Sequence, residues 1–166
     1  MKRRVVITGL GVVTSLGETV DEMWDALCAG KSGIGMISRW DTSKYPTRFG
    51  GECAKFDVTN YGIDVREAKR LDRFGQFGLA ASVSAVKDSR IDFSKEDTTR
   101  CGVIIGSGIG GIETLEEQNK ILVARGVSRV SPFTVPRLMA NAGSGNVSIL
   151  FHINGPNTCV STACAT

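Results

Sequence analysis

The chain has a single histidine among its 166 residues and no carboxylate at all after Glu117. Any histidine-dependent step would rest on His152, and a general base within residues 118–166 would have to be something other than Asp or Glu. Because Asp and Glu are rarely fully buried, the acid-free stretch is expected to be buried. No apolar run approaches the ~20 residues of a membrane helix, so no membrane partner is expected. A net charge of +3 is too modest to argue for nucleic acid. Cys28, Cys53, Cys101, Cys159 and Cys164 form no CxxC pair and no ladder of regular spacings. That excludes a secreted disulfide scaffold and fits a reducing, cytoplasmic setting. His152, Cys159 and Cys164 can be drawn as a metal set, but their gaps match no common zinc pattern, and no metal is expected. Internal repeats and low-complexity linkers are absent as well.

What is present is glycine, 20 of 166 residues, against a usual ~7%. Such an excess predicts tight turns and close backbone approaches. Apolar residues at 42% and charged residues at 22% are those of one ordinary globular domain. The start, Met1-Lys2-Arg3-Arg4 followed by VVITGLGVV, imitates a signal peptide. It carries Thr8, Gly9 and Gly11 and no cleavage site, and its β-branched density reads instead as a buried strand over 3–13. Thr19 with Glu22 forms a capping box opening a helix over 20–29, with Gly30 as its stop. A short strand is expected within 48–54. A helical stretch runs from 64, pauses at 72–75 and resumes to 88. A second buried strand covers 101–107 and a helix 111–124. Pro136 falls in the first turn of another helix, and a last strand covers 157–163. Strands alternating with helices predict an α/β fold with a largely parallel sheet.

Three features carry chemistry. Gly106-Ser107-Gly108-Ile109-Gly110-Gly111 fits G-x-G-x-x-G between a strand and a helix, yet the ribose-binding acid due near 126–136 is missing. The alternative is a glycine turn admitting a ligand or another chain segment. Cys164 ends the run Val160-Ser161-Thr162-Ala163-Cys164 at a strand-to-helix turn, where the helix dipole favours thiolate and backbone N–H groups can hold an oxyanion. Its alternative is an inert cysteine, the expected state of the other four. His152, twelve residues upstream, is expected to cap or pack at a helix end rather than pair with Cys164. Arg66, Lys69, Arg70 and Arg73 recur at helical spacing, so one helix would place all four on one face. They form either a solvated face or a dock for an acidic partner.

Taken in order, Arg3-Arg4-Val5-Val6-Ile7-Thr8-Gly9-Leu10-Gly11, Thr14-Ser15-Leu16-Gly17, Asp72-Arg73-Phe74, Ile105–Gly111, Ser131-Pro132-Phe133-Thr134-Val135-Pro136 and Gly155-Pro156 leading to Ser161-Thr162-Ala163-Cys164 resemble the elongating β-ketoacyl-ACP synthases of the synthase II type. The resemblance covers all 166 residues and implies the thiolase-like layered αβαβα fold, made of two similar halves. Residues 1–166 would then be the N-terminal part of its first half, with the C-terminal half absent. Carried over, Cys164 is the nucleophile that takes an acyl group from acyl carrier protein before decarboxylative Claisen condensation with malonyl-ACP. Gly108, Ile109 and Ala163 match residues lining the acyl pocket. Phe133 and Thr134 match the segment that reaches the neighbouring subunit's pocket in the family homodimer. Thr134 stands where a bulky aromatic is common, which leaves the acyl chain length open. Arg66, Lys69 and Arg70 match the basic surface that meets the acidic carrier protein.

The family draws two histidines and a supporting lysine from its second half. None is present here, and His152 matches neither histidine. The helix expected to begin at Cys164 has only Ala165 and Thr166 after it. The resemblance therefore implies an acyltransferase without cofactor whose 166-residue portion is inactive alone. A polyketide ketosynthase subunit and a non-catalytic thiolase-like interaction module are the alternatives.

Overall fold

A computed structural model describes residues 3–166; Met1 and Lys2 of the charged start lie outside the described residues. The chain divides into two compact units, one formed by Met1–Asp57 with Ala80–Ile91 and the other by Val58–Leu79 with Asp92–Thr166.

In the first unit α1 covers Val20–Cys28. Its capping box forms as expected. The Glu22 N–H donates to Thr19 Oγ1 at 3.2 Å, and Glu22 Oε2 accepts the Thr19 N–H at 3.2 Å. Gly30, at φ +63°, ends it. An antiparallel pair follows, β1 Ile34–Met36 and β2 Phe49–Gly51, in register Ile34↔Gly51 and Met36↔Phe49. Glu52 pins the loop after β1, accepting the Ser38 N–H at 2.9 Å, the Ser38 hydroxyl at 2.8 Å and the Arg39 N–H at 3.3 Å. The Ser38 N–H chiefly holds the Glu52 carboxyl below its usual range, against a smaller opposing push from burial.

The expected buried strand over 3–13 is not there. No described segment exchanges a ladder of backbone hydrogen bonds with it, and Val5 and Ile7 are 95% and 83% exposed. The segment lies instead against the helix α3, Arg73–Ser89, through its Ala80–Ser89 portion. The Leu10 N–H donates to Asp88 Oδ2 at 2.9 Å, and a Cβ on Gly9 would collide with Ala85 O and stand 2.6 Å from Ser89 N. Glycine is required there by the close approach of two backbones.

In the second unit α2 is short, Val65–Ala68, capped by Asp64, whose Oδ1 accepts the Arg66 N–H at 2.7 Å. The chain breaks at buried Leu71 and Asp72 before α3 begins. This break separates Arg73 from Arg66, Lys69 and Arg70, so the four basic residues do not share one helix face. Asp72 caps α3 by accepting the Phe74 N–H at 3.2 Å, and that competition ends the shorter helix.

The unit is built on a parallel pair, β3 Val103–Gly106 and β4 Asn157–Val160, with Val103↔Asn157 and Gly106↔Val160 opposite one another. Between the strands the chain forms α4 Ile112–Arg125, α5 Thr134–Leu138 and α6 Ala142–Leu150, the helical crossover a parallel pair needs. Helix α6 packs on the sheet; Gly143 lies against Ile105 and Phe74. Its fully buried Ser144 exchanges two hydrogen bonds of 2.9 Å with the Asn157 side chain. Val103, Val147 and Ile153 are buried in this unit, as are Val58, Ile63 and Leu71.

The acid-free stretch is not buried. Of its residues only Gln118, Gly143, Ser144, Val147 and Ile153 are, while Val123, Val127 and Ile149 are exposed. It flanks a two-stranded sheet, which leaves most of its side chains facing outward. No helix among the described residues is long and apolar enough to cross a membrane.

Candidate active site

Both strands of a parallel pair point their C-terminal ends the same way, and the loops leaving those ends form a crevice. Here the loops are Gly106–Gly111 after β3 and Ser161–Thr166 after β4. They touch. A Cβ on Gly108 would lie 3.6 Å from Ala163 O and 3.7 Å from Ala163 Cα, and one on Gly106 would lie 2.5 Å from Thr166 Cγ2. The Ser161 hydroxyl reaches Gly108 O at 3.5 Å. Gly108, Ile109, Ala163 and Cys164 are thereby brought to one place, with Ile109 and Cys164 exposed.

Strand β4 leaves its ladder at Val160, three residues earlier than expected, because the chain turns sharply. Ala163 has φ +52°, a left-handed conformation that costs an alanine roughly 1–2 kcal/mol. Cys164 follows in a single 3₁₀ turn, Ala163–Ala165, rather than in an α-helix. The turn is held by Thr162, whose N–H donates to Thr166 Oγ1 at 2.7 Å. Residues held in such sparsely populated backbone conformations cluster at ligand-binding and functional sites.

The glycine loop is anchored on its far side. The Gly110 N–H donates to Ser107 Oγ at 3.0 Å, and the Gly111 N–H donates to Leu138 O at 2.9 Å, tying the loop to the end of α5. Phe133 and Thr134 stand at the opposite end of α5. The Thr134 hydroxyl donates to Ser131 O at 2.6 Å, and the Arg70 guanidinium lies 5.5 Å from the centre of the Phe133 ring. Arg66, Lys69 and Arg70 are all exposed.

Two alternatives fail on geometry. His152, with φ +53°, lies in the turn after α6, ahead of the start of β4, whereas Cys164 follows its end. Four strand residues span roughly 13 Å, so the two do not form a dyad. The G-x-G-x-x-G loop does lie between strand and helix, but the N-terminus of α4 is already occupied. Asp72 Oδ2 accepts the Thr114 N–H at 2.8 Å and the Thr114 hydroxyl at 2.6 Å. A pyrophosphate there would compete with a buried carboxylate for the same N–H groups. Asp72, 4% exposed, is a buried carboxylate beside the glycine loop that the sequence did not single out. Its segment, Asp72-Arg73-Phe74, enters the sequence reading only as part of the family resemblance and as a pause between helices, with no role for the side chain.

The family described as beta-ketoacyl synthase, N-terminal domain, matches residues 2–166. The chain belongs to the beta-ketoacyl synthase family. It is 46% identical over 164 residues to 3-oxoacyl-[acyl-carrier-protein] synthase 2 of Synechocystis sp., covering 99% of this chain and 39% of that protein. It is 44% identical over 165 residues to the protein of the same name from Vibrio cholerae, covering 99% of this chain and 40% of that one. Among solved structures, the ishigamide ketosynthase/chain length factor superposes with a TM-score of 0.85 at 28% identity, over 98% of this chain and 40% of that one. This beta-ketoacyl synthase sequence thus spans about 40% of the length of the relatives it matches, and its fold is that of the thiolase-like ketosynthases.

Proposed function

We propose that the chain is the cysteine-bearing N-terminal part of a fatty-acid-elongating 3-oxoacyl-[acyl-carrier-protein] synthase, its C-terminal half being supplied by a longer protein. The observation that carries this reading is the meeting of Gly108, Ala163 and Cys164 at the C-terminal end of the parallel pair. The Cys164 thiolate attacks the carbonyl of an acyl thioester on acyl carrier protein. The bond to the carrier thiol breaks, the carrier leaves with its sulfur, and the acyl group remains on Cys164. The Cys164 N–H is one oxyanion donor for the tetrahedral intermediate. Loss of CO₂ from malonyl-ACP gives a carbanion, which attacks the acyl-Cys164 carbonyl and releases ketoacyl-ACP and free thiolate. Two histidines from the C-terminal half polarise the malonyl thioester.

Gly108, Ile109 and Ala163 line the acyl pocket, and Phe133 and Thr134 extend it toward the second subunit of a homodimer. Exposed Arg66, Lys69 and Arg70 receive the acidic carrier. The cytoplasm is the matching compartment, since it keeps the five free thiols reduced. Likeness to the ishigamide ketosynthase/chain length factor supports a second reading, a polyketide ketosynthase subunit. Higher identity to the fatty acid enzymes favours elongation.

The test is ketoacyl-ACP formation from acyl-ACP and malonyl-ACP by the full-length protein. Product is expected, with loss in Cys164→Ala and no product from the 166-residue chain alone. Product undiminished in Cys164→Ala would overturn the reading.

A further inference from the structure

A buried carboxylate needs strong donors to remain in place. Asp72 has them at both oxygens. Oδ1 accepts the Phe74 N–H at 3.2 Å, while Oδ2 accepts the Thr114 N–H at 2.8 Å and the Thr114 hydroxyl at 2.6 Å. One side chain therefore caps two long helices, α3 and α4, whose capped residues are far apart in sequence, and the positive ends of both dipoles converge on it. Thr114 is fully buried. A Cβ on Gly111 would approach Asp72 Oδ2 to 3.0 Å, so the carboxylate also lies directly beneath the end of the glycine loop. One turn along the same face of α4, buried Gln118 accepts the Ser131 N–H through Oε1 at 2.8 Å. That bond fixes the segment leading to Phe133 and Thr134. The loop whose end Asp72 holds is the one whose Gly108 packs against Ala163, the residue before Cys164.

We infer that Asp72 is a positioning residue. By clamping the start of α4 through Thr114, it fixes the Gly106–Gly111 loop as the wall against which the Cys164 turn and its acyl donor are aligned. The inference rests on the reading of Cys164 as the acyl acceptor. Displacing such a wall by about 1 Å is enough to slow an aligned reaction on the order of a hundredfold. Donor docking on Arg66, Lys69 and Arg70 would be unaffected, so the maximal rate should fall while half-saturation holds.

The test uses the full-length protein with an octanoyl thioester of acyl carrier protein, following single-turnover transfer to Cys164 by mass. Thr114→Val keeps the backbone N–H bond and removes the hydroxyl bond. It should lower the maximal acylation rate roughly tenfold, with half-saturation changed less than about twofold. Thr114→Ser restores the hydroxyl and should restore the rate. Asp72→Asn loses one acceptor and should cost about a hundredfold. If Asp72→Asn does not fold, the Thr114 pair decides. A wild-type maximal rate in Thr114→Val, a change confined to half-saturation, or a Thr114→Ser variant as slow as Thr114→Val would each overturn the inference.

If the wild type never acylates Cys164, the functional reading fails instead. The geometry is then tested by iodoacetamide labelling of Cys164 relative to Cys28, the other exposed cysteine. Thr114→Val should raise the Cys164 rate at least about threefold and leave Cys28 unchanged. An unchanged ratio would overturn the clamp itself.

Discussion

Two alanines placed two residues apart in the glycine loop should behave oppositely. Gly110 has φ +81°, and a Cβ there would stand 2.5 Å from Leu138 O and 3.0 Å from Ala140 N. The left-handed backbone costs an alanine about 1–2 kcal/mol. Relieving the clash moves Leu138 O away from the Gly111 N–H it accepts at 2.9 Å, losing roughly 1 kcal/mol more. Reduced freedom of the unfolded chain returns about 0.4–1 kcal/mol. Gly110→Ala should therefore destabilise by about 2 kcal/mol. At Gly108 the nearest atoms to a Cβ are those of Ala163, at 3.6 Å and beyond, ordinary contact distance. Gly108→Ala should then be neutral or stabilising by up to about 0.5 kcal/mol. Urea unfolding of the full-length protein, followed by hydrogen exchange at β3 and β4 amides, reads both. The Gly110→Ala urea midpoint should fall, and the Gly108→Ala midpoint should not. A Gly110→Ala protein as stable as wild type, or a Gly108→Ala protein losing about 2 kcal/mol, would refute this geometry of the loop.

Glu52 holds Ser38 and Arg39 through its ionised carboxylate, so its folded-state pKa lies below the ordinary 4.5. A depressed acid contributes stability that is fully present above the ordinary value and lost as pH falls through the folded one. Hydrogen exchange at the Ser38 and Arg39 amides should quicken, after correction for intrinsic rates, as pH falls below the ordinary 4.5 and through the lowered folded-state value. Glu52→Gln should remove that dependence, and unchanged pH dependence in Glu52→Gln would contradict the assignment. Changing Arg66, Lys69 and Arg70 together to Glu should weaken carrier-protein binding, most at low salt, where the Debye length is longest. Titration calorimetry showing equal affinity at low salt would leave those side chains a solvated surface only.

Local signals were legible. Thr19, Glu22 and Gly30 marked the ends of α1 because capping is decided within four residues. The apolar run around Val103 marked β3, a last strand was expected where β4 forms, and Cys164 stood out because its turn follows a strand end. Features set by distant partners were not legible. Residues 3–13 have the composition of a core strand, yet no described segment pairs with them, so composition and pairing part company. β1 escaped notice because Ile34-Gly35-Met36 is three residues long and has glycine at its centre. The basic stripe looked continuous at helical spacing until Asp72 took its place as a cap and broke the helix before Arg73. The partner of Asp72, Thr114, is 42 residues away, a separation that periodicity cannot reach.

Whether Cys164 carries the acyl group is decided by incubating the full-length protein with acyl-ACP in the absence of malonyl-ACP and weighing its proteolytic peptides. The peptide holding Cys164 should gain the mass of one acyl group, lost on hydroxylamine treatment and absent in Cys164→Ala. An acyl group found only on Cys28, Cys53, Cys101 or Cys159, or on no cysteine, would contradict the assignment of this turn as the acylation site.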